Sequence, residues 1–187
     1  MLNYNSVIKN EIKQESISVK EISPVIKINL RGKKREFLTN VGKNLNMILP
    51  TEANTSTTSD QLTAIWLSTD EWMIVSNELV SKDTSKYKLN EMLFNSISKT
   101  NLGAVIDITD QFVQLELKGE NIYEIFSAGS PFNFNEFKEK KGSTTQTVLN
   151  HIDVILHNKG ENIVHLFVRR SFAEHLYSWI EDSVSRL

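Results

Sequence analysis

The sequence predicts an α+β layered fold in which mostly antiparallel sheets carry helices packed on them. Strand-patterned runs outnumber helical ones, and the two alternate without the strict one-to-one rhythm of a doubly wound parallel sheet. The order strand, helix, strand, strand, helix also occurs twice, over halves at about residues 16–98 and 102–187. No sequence identity links these halves, so the repeat is one of architecture. Residues 16–187 are expected to form a single domain, preceded by a separate segment of residues 1–15.

Residues 1–15 are polar, with only Val7, Ile8 and Ile12 at helix-like spacing, and they read as a short partner-docking helix or a loose tail. Strand character begins with Ile17, Val19 and Ile22. After Pro24 comes the run Val25-Ile-Lys-Ile-Asn-Leu30, which places Ile26, Ile28 and Leu30 on one face of a pleat, toward a core. Phe37, Leu38, Val41 and Leu45 follow at three-to-four spacing, marking a helix that ends before Pro50. Residues 51–60 read as a Thr/Ser/Asn loop. Two apolar runs, Leu62–Leu67 and Trp72–Val75, flank Ser68-Thr-Asp-Glu71 and form a hairpin. Leu89, Leu93 and Ile97 mark a helix within residues 84–98.

The second half predicts strands at 102–108 and 111–118, a helix from Glu120 to about Ser127, and strands at 143–149, 151–157 and 162–169. A final helix follows. Ser171 and Glu174 have the spacing of a capping box, and Phe172, Leu176, Trp179, Ile180 and Val184 make one apolar stripe.

Composition narrows the chemistry. The chain has 187 residues, 40% hydrophobic and 24% charged, with 21 basic against 23 acidic side chains, which is the composition of an ordinary globular protein. Its net charge of -2 without a basic block argues against nucleic-acid binding, which needs clustered Lys and Arg to release counterions. Cysteine is absent, so a disulfide, a thiolate nucleophile, an Fe–S site and a Cys-based zinc site are all excluded within the chain. The seven glycines are isolated, and none form a phosphate-binding loop. The N-terminus has neither a signal-peptide pattern nor a membrane span, and a cytoplasmic protein with no membrane partner is expected.

A few residues could carry chemistry. On a strand over 151–157, His151, Asp153 and His157 point away from Ile152, Val154 and Leu156, toward an exposed or partner-facing side. His157 would lie about 20 Å from His151 at roughly 3.3 Å per residue, too far for one compact three-ligand metal site. An ordinary polar sheet face is the expected reading. Asp107 and Asp110 adjoin an apolar strand, where burial would suit a carboxyl for general-base work, but a strand-end acid capping the turn before Gln111 is the expected role. Lys138–Lys141 reads as a solvated charge run on a loop. Trp66, Trp72 and Trp179 read as core. Arg169 and Arg170, at a strand-to-helix junction, have the chemistry to clamp an anion, and a carboxylate or carbonyl of the same chain is the expected partner.

Three segments in order resemble the gamma subunit of heterotetrameric sarcosine oxidase: Ala64-Ile-Trp-Leu-Ser-Thr-Asp-Glu-Trp-Met-Ile-Val75, Ala104-Val-Ile-Asp-Ile-Thr-Asp110, and Phe167-Val-Arg-Arg-Ser-Phe-Ala-Glu-His-Leu-Tyr-Ser-Trp179. Between them, Leu115-Glu-Leu-Lys-Gly119, Ala128-Gly-Ser-Pro-Phe-Asn133 and Thr145-Gln-Thr-Val-Leu149 fall where that family has corresponding segments. Residues 104–180 also resemble the amino-terminal part of the aminomethyltransferase (glycine-cleavage T-protein) superfamily, which implies its folate-binding fold.

The resemblance implies an oxidase that demethylates sarcosine to glycine, forms hydrogen peroxide and passes the one-carbon unit to tetrahydrofolate. FAD, FMN, NAD and tetrahydrofolate would sit on other subunits. This chain would be a non-catalytic assembly subunit beside the alpha, beta and delta chains, and no catalytic, cofactor-binding or metal residue is transferred to it. Asp107 matches the position of a strand-end acid in active superfamily members, but Thr109-Asp110 stands where Ser-His often follows. The alternatives are a stand-alone folate-binding or one-carbon transfer module, and the equivalent subunit of a related N-methyl amino acid dehydrogenase.

Overall fold

The computed structural model describes residues 5–22, 24–59, 61–80 and 87–187. Among the described residues eleven strands and five α-helices follow one another as β1 (Ile12–Lys13), β2 (Ile17–Glu21), β3 (Val25–Arg31), α1 (Arg35–Leu45), β4 (Ser56–Thr58), β5 (Leu62–Ser68), β6 (Glu71–Leu79), α2 (Lys88–Leu93), β7 (Ala104–Asp107), β8 (Phe112–Gly119), α3 (Ile122–Gly129), α4 (Asn135–Glu139), β9 (Thr144–Leu149), β10 (Ile152–Gly160), β11 (Ile163–Arg169) and α5 (Arg170–Val184). A π-helical turn, Phe94–Ser98, prolongs α2. The class is the expected α+β, and every strand pairing is antiparallel.

The chain divides into two compact units. One comprises Pro24–Asp110, and the other joins Asn5–Ser23 to Gln111–Leu187. The first holds a five-stranded sheet in the order β4-β5-β6-β3-β7, and the second a six-stranded sheet in the order β1-β2-β8-β11-β10-β9. Residues 16–187, expected as one domain, thus separate at boundaries that differ from those of the sequence halves. The difference has a topological cause. Each repeat opens with a strand, β2 or β7, that leaves its own repeat and pairs with the second strand of the other, β8 or β3. The sheet orders β4-β5-β6-β3-β7 and β9-β10-β11-β8-β2 are then equivalent position by position.

In the first unit, Ile26, Ile28 and Leu30 face α1 and pack with Phe37, Val41 and Trp72. The indole of Trp72 donates to Pro50 O at 2.8 Å, which satisfies its N–H inside the core. In the second, Val113, Leu115 and Leu117 of β8 pack with Phe126 of α3 and with Leu176 and Ile180 of α5. Burying these apolar faces is the main stabilising term for each unit.

Several local expectations are corrected. Residues 5–15 are neither helix nor tail: β1 pairs with β2, and Ile8 and Ile12 are buried in the second unit's core. Tyr177 donates to Asn10 O at 2.6 Å, Arg170 donates to Asn5 O, and Ile8 N donates to Glu21 Oε2 at 2.8 Å, so α5 and β2 hold this segment. Residues 1–4 lie outside the described residues, as do 84–86 of the expected helix over 84–98. The loop expected over 51–60 contains β4, paired with β5. The capping box at Ser171 and Glu174 does not form: β11 runs straight into α5, the N-cap is Arg169 with no side-chain cap bond, and Arg170 N donates to Gln111 O at 2.8 Å. That backbone bond does the work assigned to the serine. Phe172, expected in the apolar stripe, is exposed, because Ala173, Leu176 and Tyr177 set the buried face one position on.

The loop expected for Lys138–Lys141 begins inside helix α4, whose five residues carry no periodic signal. Aromatic packing makes it: Phe137 lies edge-on to Phe134, with ring centroids 5.9 Å apart, and to Tyr123 at 6.3 Å. Buried Asn158 then donates to the carbonyls of Phe137, Lys138 and Lys140 at 2.6, 3.1 and 3.3 Å, tying the end of α4 to β10.

Candidate functional site on the polar face of the six-stranded sheet

The face of the six-stranded sheet turned away from α3 and α5 holds most of the second unit's polar chemistry. Alternation along β8 puts Val113, Leu115 and Leu117 in the core and leaves Phe112, Gln114 and Glu116 on the other side. Register aligns these with residues of neighbouring strands in rows that cross the sheet. One row runs Lys20, Glu116, His165, His157, Thr144. The next holds Gln114, Phe167, Ile155 and Gln146. A third begins with Phe112 and Arg169 and ends with Asp153 and Val148.

The first row is a chain of charge and hydrogen bonds. Lys20 Nζ lies 3.0 Å from Glu116 Oε1, and Glu116 Oε2 lies 3.5 Å from His165 Nε2. Gln114 Nε2 is 3.0 Å from His165 Nδ1. With Gln114 donating, His165 carries its proton on Nε2 and donates it to Glu116, the neutral tautomer. The His157 and His165 rings stand edge to face, 6.4 Å apart.

Burial dominates the electrostatics. It drives His157 down to about 3, helped by the charge of Lys159 and by His165. It drives His165 down to about 4, where Lys159 adds to the effect and Glu116 opposes it. Burial also pushes the Glu116 carboxyl up, but the hydrogen bond and charge of Lys20, with His165, outweigh it and hold the acid below its ordinary range. The hydrogen bond that Lys20 donates to Glu116, with the charge of that carboxylate, raises Lys20 in turn. Histidines that take a proton only near pH 3–4 are neutral at pH 7 and are not poised for acid–base work there. His165 is held in the row by Gln114 and Glu116, and His157 packs its ring against it.

Beside this network the face opens into a groove of about 530 Å³, lined by Phe112, Gln146, Val148, Asp153, Ile155 and Arg169, together with Thr147 and Val154. Its floor is apolar, and its charges are one cation and one anion.

The residues singled out in the sequence do not converge. His151 sits exposed in the β9–β10 turn with φ 65°, Asp153 lines the groove, and His157 is 2% exposed. The expectation that His157 lies on an exposed or partner-facing side is therefore corrected. Its side of the pleat was read correctly, but that side of the sheet is itself buried at this position. Among the described residues no three His, Asp or Glu side chains come together as a metal site.

In the first unit, Asp107 and Asp110 are both exposed. Asp107 Oδ1 accepts from Thr109 N at 2.9 Å, so it caps a turn. Buried Thr109 extends the β3–β7 ladder with its hydroxyl, accepting from Lys27 N at 3.0 Å and donating to Lys27 O at 3.3 Å. Lys138 lies in α4, with Lys140 and Lys141 exposed beyond it. Trp72 is core, whereas Trp66 and Trp179 are partly buried against the two clusters. Arg170 donates to a carbonyl of its own chain, and Arg169 faces the groove.

Sequence reading missed Lys20, Gln114, Glu116 and His165. The polar side of β8 was legible in its alternation, but the partners came from β2 and β11, and only register aligns them.

The model of the sarcosine oxidase gamma subunit family matches residues 32–186. The chain belongs to that family. The match spans both compact units, from the end of β3 through α5. Among solved structures, a chain of the heterotetrameric sarcosine oxidase from Corynebacterium sp. U-96, in complex with pyrrole 2-carboxylate, superposes with a TM-score of 0.82 at 20% identity, over 94% of this chain and 88% of that one. At that identity the superposition establishes the shared fold. No curated protein sequence matches the chain. No helix among the described residues is long and apolar enough to cross a membrane.

Proposed function

We propose that this gamma-family chain acts as a non-catalytic subunit of a heterotetrameric sarcosine oxidase in the cytoplasm. Its alpha, beta and delta partners would carry FAD, FMN, NAD and the tetrahydrofolate site, and the complex would demethylate sarcosine to glycine with formation of hydrogen peroxide. The family match over residues 32–186 carries this reading. The chemistry of the chain's polar groups supports it. Burial keeps both histidines of the row neutral at pH 7, His165 is bonded to Gln114, and Asp107 and Thr109 are engaged with backbone at a turn. The Thr109 hydroxyl is committed to the backbone of β3, and no chemical step is assigned to the chain.

Co-expression with the three partner chains tests the proposal. A complex that retains this chain through size-exclusion chromatography is expected, with no heat of binding when tetrahydrofolate is titrated into the isolated chain. A monodisperse monomer that never co-purifies with the partners would overturn it, and folate binding by the isolated chain would favour a stand-alone module.

A further inference from the structure

The groove on the six-stranded sheet has a charge pattern that the fold itself leaves unused. Arg169 pairs in register with Phe112, and Asp153 with Val148. Val168 faces Val154, so Arg169 and Asp153 are the next neighbours across β11 and β10. One row therefore reads apolar, cation, anion, apolar, at strand intervals of about 4.8 Å. Opposite charges placed side by side on adjacent strands commonly pair. Here both side chains are exposed, and among the described residues neither makes a hydrogen bond or an ion pair. The floor beneath them is Ile155, itself 8% exposed.

We propose that this groove is a docking surface for a partner polypeptide that presents an acidic side chain to Arg169 beside a basic one to Asp153, with apolar residues seated on Phe112 and Val148. The inference rests on the subunit reading above and adds where a partner binds and with what chemistry. Paired complementary charges flanked by apolar contacts fix register and orientation more than they add affinity. The groove would therefore select how a partner sits.

The test uses the full chain co-expressed with its partner subunits. Arg169→Glu and Asp153→Lys, each at an exposed position, are expected to leave the isolated chain's melting temperature unchanged and to weaken assembly by about tenfold at low salt. The exchange variant Asp153→Arg with Arg169→Asp separates docking from pairing within the chain. If each charge meets a partner charge, the exchange is as damaging as either single reversal. Assembly of the single variants at wild-type strength, or its restoration by the exchange, would overturn the groove as a docking site while the subunit reading stands. Failure of the wild-type chain to assemble would overturn both. Self-association of the isolated chain in sedimentation, abolished by the same reversals, would assign the groove to a second copy and also overturn the proposal.

Discussion

Thr109 shows how a single side chain can stand in for backbone. β7 ends at Asp107, and beyond it the threonine hydroxyl both accepts from and donates to the backbone of Lys27 while wholly buried. Thr109→Val keeps the shape and removes both bonds, leaving a buried N–H without its partner. A loss of about 1–3 kcal/mol is expected in urea unfolding. Gly119, at φ +143°, is the other sensitive position: a Cβ there would stand 2.1 Å from Ser16 O, so Gly119→Ala must displace the backbone of β2. The buried histidines set a pH dependence. Their folded values of about 3 and about 4 lie below the 6.5 of a free imidazole, so between those limits the unfolded chain binds more protons. Stability is full above pH 6.5 and falls as pH drops, by about 1.4 kcal/mol per pH unit for each histidine. Unfolding midpoints at pH 7 and pH 5 would show it, and His165→Gln should flatten the slope.

At the scale of elements, what failed to show in the sequence was held by contacts remote in the chain. Helix α4 depends on a ring cluster and on three carbonyls bonded to Asn158, twenty residues away. Asn158→Ala should therefore free residues 135–141 while leaving the sheet in place, with a cost of about 2–3 kcal/mol and faster amide exchange confined to α4. The helices with clean three-to-four spacing, α1 and α5, were legible because each buries one face against one sheet. The ends of α5 were less so. Its first turn was assigned to a capping serine, whereas the backbone of Gln111 supplies the bond, and local spacing carries no trace of a partner 59 residues earlier.

For the whole molecule, the exchange of β2 and β7 is the organising fact. Neither repeat holds a complete sheet: residues 1–100 lack β7 of the five-stranded sheet, and residues 101–187 lack β2 of the six-stranded one. The two fragments, produced separately, are expected to be unfolded or aggregated alone and to regain native circular dichroism when mixed in a 1:1 ratio. Independent folding of either fragment would contradict the exchange.

The sequence by itself determined the class, the longer strands and helices, the absence of thiol chemistry and the family, because periodicity, composition and local motifs are written along the chain. The tertiary structure alone decided that the first strand of each repeat belongs to the other unit, that residues 5–15 are core and edge strand, and that His157 is buried. It also brought Lys20, Glu116 and His165 into one row. Each of these depends on which strands lie side by side, and pairing between strands some hundred residues apart is set by burial of whole faces, not by any local pattern.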